Sequence, residues 1–142
     1  MNLLLGAALV SLINFMLHAL VTAMIIVATR HTATLTTDLS VFIRVTALLI
    51  VTTVTLTVAH VAEVGIWASF ISRSGITLTT EATALEFAFE NYTALGYGDT
   101  IAQNSRLIGP ITALNGLLLI GWSVAVIFEV LRMTELKFGR RD

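Results

Sequence analysis

Two groups of residues in this 142-residue chain have types and spacings that could do chemistry. The first is Gly96-Tyr97-Gly98-Asp99, preceded by Thr93-Ala94-Leu95. Glycines alternating with side chains let the backbone take φ and ψ values that other residues resist. Successive carbonyls can then face one way, and rings of such carbonyls can replace the water shell of a cation. One chain alone cannot close such a ring. Four chains around an axis can, and they also bury the irregular backbone that a bilayer would not tolerate. The second group is His18, His60 and Glu63. His60 and Glu63 are three residues apart and share a helical face, which Trp67 continues. Ionisable groups in apolar segments are expensive and mark functional candidates.

The elements that must position these residues belong to a bilayer. The chain is 56% hydrophobic and only 12% charged, about half the charged fraction of a soluble domain. Net charge is −1, so nothing points to nucleic acid, and the absence of cysteine excludes disulfides and thiolate metal sites. The three His have no metal-ligand spacing, and no nucleophile–base pair is visible, so the chain reads as a non-enzyme without a cofactor.

Two apolar segments, about 3–28 and 41–71, are long enough to span about 30 Å of hydrocarbon. The first is too long for a secretory h-region and no Lys or Arg precedes it, so it reads as a retained helix. A polar Thr-rich stretch, Arg30 to Asp38, separates them, and Asp38 or Ser40 is placed to cap the second. A stretch from Glu81 to Thr93 has good helix formers but is too short to cross. A third spanning helix begins at Leu107, with Pro110 in its first turn where a missing N–H costs little, and continues to about Leu131. The organisation is two N-terminal helices within 1–80, a pore-like module over 81–131, and a charged tail, 132–142.

Three crossings put the chain's ends on opposite sides. Six of the eight Lys and Arg fall on one of them: Arg30, Arg44, Arg132, Lys137, Arg140 and Arg141. Arg73 and Arg106 fall on the other. The positive-inside rule then predicts a multi-pass protein of the cell membrane with its C-terminus cytoplasmic, its N-terminus outside, and its glycine-rich segment entering from outside.

The run Thr93-Ala94-Leu95-Gly96-Tyr97-Gly98-Asp99 resembles the Thr-Thr-Val-Gly-Tyr-Gly-Asp pattern of the potassium-channel pore family, with five of seven positions identical. The likeness covers about Leu85 to Leu131, from Glu90 behind the run to Ser105-Arg106-Leu107-Ile108-Gly109 and Asn115-Gly116 after it. It also resembles small bacterial channel proteins with one helix added ahead of a two-helix pore. The resemblance implies an all-α membrane protein with three transmembrane helices, a re-entrant pore helix and a selectivity filter at 94–98, assembled as a fourfold homotetramer in lipid. It implies a passive potassium channel in which the carbonyls of Ala94, Leu95, Gly96 and Tyr97 hold dehydrated K+. Tyr97 then braces the filter, Gly98 completes it, Thr93 supports it, and Asp99 draws cations to the outer mouth. Glu90 either shares a proton or water with Asp99 or is simply solvated.

Two residues depart from the family pattern. Leu95 replaces Val, and its carbonyl is unaffected. Ala94 replaces a Thr whose hydroxyl helps form the innermost ion site, so weakened inner binding is expected. This leaves a weakly selective cation channel, or a non-conducting subunit on a pore-like fold, as alternatives. In the third helix Gly116 and Gly121 are hinge candidates or close-packing positions. Phe128, with Ile127 beside it, is either an apolar gate or an ordinary lipid-facing position. His18, His60 and Glu63 are expected at similar depth, as a proton-sensitive latch or as a satisfied packing contact.

Overall fold

The computed structural model describes residues 2–35, 40–76, 83–96 and 105–138. Its described secondary structure is helical: α1 (Leu3–Leu35), α2 (Val41–Arg73), α3 (Ala84–Tyr92) and α4 (Ile108–Phe138). Within these, Leu3–Thr32, Val41–Arg73 and Ile108–Thr134 are each long and apolar enough to cross a membrane. The nine-residue α3 reaches only about 13 Å at 1.5 Å per residue. It packs against both α2 and α4, while α1 packs against α2 and α4.

α1 continues through Arg30-His31-Thr32, beyond the apolar run that ends near Ala28. A helix needs only its own hydrogen bonds to continue, so apolarity can stop before helicity does. Ser40 caps α2, its side chain accepting from the Ile43 N–H, whereas Asp38 lies outside the described residues. The start of α3 is fixed by a capping box. Thr83 accepts from the Glu86 N–H at 3.2 Å, and the Glu86 carboxylate accepts from the Thr83 N–H at 2.6 Å. That Thr83 N–H holds the Glu86 carboxyl below its ordinary range.

The pattern of burial is reversed from that of a soluble bundle. Buried positions on α1 recur as Ala7, Val10, Asn14, His18, Thr22, Ile25 and Thr29, a helical stripe. α2 contributes Thr52, Leu56, Ala59, Glu63 and Trp67, and α4 contributes Thr112, Asn115, Leu119, Ser123 and Val126. Large apolar residues such as Leu20, Val27, Phe42 and Val58 point outward. Lipid tails are as apolar as Leu, so burying Leu gains little in a bilayer; polar contacts and close packing hold such helices together.

Candidate functional site

The polar stripes converge where all four helices meet. Glu63 on α2 lies at the centre with no exposed surface. One of its oxygens, Oε1, is 2.9 Å from His18 Nδ1 on α1. The other, Oε2, is 3.0 Å from His60 Nδ1 and accepts a short hydrogen bond from the Tyr92 hydroxyl on α3. That hydroxyl also lies 2.8 Å from His60 Nδ1. The far nitrogens of both imidazoles meet Ser123 Oγ on α4, His60 Nε2 at 2.8 Å and His18 Nε2 at 3.3 Å. His18 and Tyr92 are buried, and the His60 side chain is 21% exposed.

A second knot lies beside the first. Trp67 Nε1 donates to Asn115 Oδ1 at 2.9 Å, and Asn14 Nδ2 donates to the same oxygen at 3.1 Å. Asn14 Nδ2 also reaches the Glu63 carbonyl at 3.3 Å. The indole can only donate, so it fixes which end of the Asn115 amide faces it. The spacing of His60, Glu63 and Trp67 places these residues on one face, and the structure brings His18 to the first two. Tyr92, Ser123 and Asn14 were not singled out from the sequence. Asn14-x-x-x-His18-x-x-x-Thr22 in an otherwise apolar segment was the available signal for Asn14.

α3 carries Tyr92 into the cluster and then ends abruptly. Thr93 N–H bonds to the Phe89 carbonyl at 3.0 Å, Ala94 N–H to Asn91 at 2.8 Å, and Leu95 N–H to Glu90 at 2.9 Å. The last two are the paired bonds of a Schellman terminus, with Ala94 at the left-handed position usually held by Gly. Ala94 and Gly96 both have φ of 58°, and among the described non-glycine residues only Ala94 has positive φ. The Glu90 carbonyl serves this turn, and Glu90 lines a largely apolar groove with Val61, Val64 and Phe89. Leu95 is exposed. Tyr97, Gly98 and Asp99 lie outside the described residues.

Gly116 faces the end of α3. A Cβ built there would stand 2.0 Å from the Tyr92 carbonyl oxygen and 2.9 Å from its ring, so only glycine admits this approach. Nothing lies within 4 Å of a Cβ at Gly121. Phe128 is exposed on α4.

A short helix held between two spanning helices, ending in a left-handed turn, coincides with a family match. The model of the ion channel family matches residues 48–133, more than half of the chain. The chain belongs to the ion channel family. No curated protein and no solved structure matches it. The matched span of this multi-pass channel protein runs from the second turn of α2 into α4 and leaves out α1. His18 and Asn14 therefore reach the cluster from a helix that precedes the family module.

Proposed function

We propose that this channel conducts potassium passively through a fourfold filter of backbone carbonyls, with α3 as its pore helix and α4 as its inner helix. The observation that carries this reading is the end of α3. Left-handed φ at Ala94 and Gly96, with Leu95 between them at negative φ, alternates the hand of the backbone, and such alternation supports a path along which successive carbonyls face one way. This occurs at the first positions of the segment that resembles a filter. In the reading, Tyr97, Gly98 and Asp99 continue the path to the outer mouth, K+ is the permeant ion, and four copies close the ring. The charge asymmetry supports a cytoplasmic C-terminus.

The test is ion flux from the full-length protein in liposomes under opposed K+ and Na+ gradients. Potassium flux well above sodium flux is expected. Equal fluxes establish the weakly selective channel that Ala94 favours, and no flux with either ion establishes a non-conducting subunit. The inner site has its own check. At φ 58° a β-branched Thr would be strained, so Ala94→Ser is the cleaner way to restore a hydroxyl. Tighter barium block in Ala94→Ser is expected; unchanged block and conductance would remove the role assigned to Ala94.

A further inference from the structure

The ring of His18, Glu63, His60, Tyr92 and Ser123 has more contacts than an ionised Glu63 and two neutral imidazoles can satisfy. With Glu63 ionised and both imidazoles neutral, the donors are one N–H per imidazole, the Tyr92 O–H and the Ser123 O–H. The Tyr92 proton goes to Glu63 Oε2. His60 Nδ1 faces that carboxylate oxygen at 3.0 Å and the Tyr92 oxygen at 2.8 Å, so its proton sits on Nδ1. His18 Nδ1 faces Oε1 at 2.9 Å, so a proton lies there as well. Both Nε2 atoms are then bare and both face Ser123 Oγ, which has one proton to give. It serves His60 at 2.8 Å, and His18 Nε2 is left facing an oxygen lone pair at 3.3 Å.

One added proton closes the ring. His18 Nε2–H then donates to Ser123 Oγ, whose own proton goes to His60 Nε2. The added charge balances Glu63, so the ring is neutral, as a low-dielectric site favours. Placing the shared proton on Glu63 Oε1 instead of His18 Nδ1 leaves the count unchanged. Among the described residues, α1 brings His18, α2 brings His60 and Glu63, α3 brings Tyr92, and α4 brings only the uncharged Ser123 to this ring. Trp122 meets the His18 ring edge-on at 5.5 Å and adds no charge.

We propose that the His18–Glu63–His60–Tyr92–Ser123 ring is a binding site for one exchangeable proton, which ties α1 to α4 and, through the Tyr92 hydroxyl, sets the seat of α3. Its effect on conduction rests on the pore reading above; the proton count does not. Tyr92 is a positioning residue in this scheme. It lies two residues before Ala94, and its backbone is pressed onto Gly116.

The experiment uses the full chain in liposomes, with 15N-labelled histidine and 13C-labelled tyrosine, read by solid-state NMR across pH. His31→Gln removes the remaining imidazole signal. One ring imidazole in a charged or proton-sharing state at neutral pH is expected, lost on raising pH together with a shift of the Tyr92 Cζ signal. Ser123→Ala should abolish that state at neutral pH, while Ser123→Thr, which restores a hydroxyl, should recover it. Two neutral imidazoles that both carry their proton on Nδ1 at neutral pH overturn the proposal, as does a Ser123→Ala spectrum identical to wild type. Signals that answer to zinc and a chelator instead of pH overturn it in favour of a bound cation. Potassium flux on the same vesicles separates the two readings. Flux that changes over the same pH step is expected. A protein with the shared proton but no flux at any pH retains the site and loses the pore.

Discussion

Gly116 marks where one atom decides the packing. The Tyr92 carbonyl occupies the space of any Cβ at that position, and the obstructing atom is backbone that cannot rotate aside. Gly116→Ala must lift the end of α3 from α4 or bend one of them. Overpacking usually costs about 1–3 kcal/mol, and the upper end is expected here, read as a lower Tm of the purified protein in detergent. A hinge role predicts something else: near-unchanged Tm with altered flux. Gly121, with open space around it, should accept Ala in either case. Residue types alone offered both glycines equally as hinge or packing positions; only the partner across the interface separates them, and that partner is 24 positions away in sequence. For the same reason Tyr92 was silent. A tyrosine at the end of a short helix announces nothing until Glu63 is seen opposite it.

At the scale of elements, α3 depends on its two ends. Isolated helices of nine residues are not stable by themselves, so the capping box and the packing on α2 and α4 must hold it. Thr83→Ala removes the side-chain half of the box and should cost about 1 kcal/mol, visible as a lower Tm and reduced flux without a change in ion preference. The pH behaviour follows from Glu86. Its carboxyl is lowered in the folded chain by the Thr83 N–H, so the cap contributes fully above the ordinary carboxylate range and is lost as pH falls through the lowered one. Glu86→Gln, which has no carboxyl to titrate, should therefore narrow the stability difference between neutral and acidic pH; an unchanged acid limb would count against the cap. The helices themselves were legible, because length and apolarity are properties of the chain. Their ends were less so. α1 outruns its apolar segment, and the turn at Ala94 depends on hydrogen bonds to Glu90 and Asn91 that spacing does not encode.

At the scale of the whole molecule, the apolar exterior implies a solvent of hydrocarbon. Leu20 is 61% exposed near the middle of α1. If it meets lipid, Leu20→Lys should reduce membrane insertion of α1 by roughly 3–4 kcal/mol in a glycosylation-mapped insertion assay; full insertion would mean that this face meets water or another chain. The membrane class was legible from composition alone. The convergence of four helices on Glu63 was not, since it needs the relative rotation and height of every helix, and the family match stops short of α1.

The Asn14–Asn115–Trp67 knot has a consequence for the height at which α1 sits. Apolar helices in lipid can slide along one another at little cost, because every register presents the same greasy surface. A slip of α1 by one turn, about 5.4 Å, would carry Asn14 away from the Asn115 oxygen and the Glu63 carbonyl while pulling His18 off Glu63. Two separate polar locks, one full turn apart on α1, thus work like a vernier scale, and only one height of the added helix satisfies both. α1 can thus find its level against α2 and α4 by reading that scale.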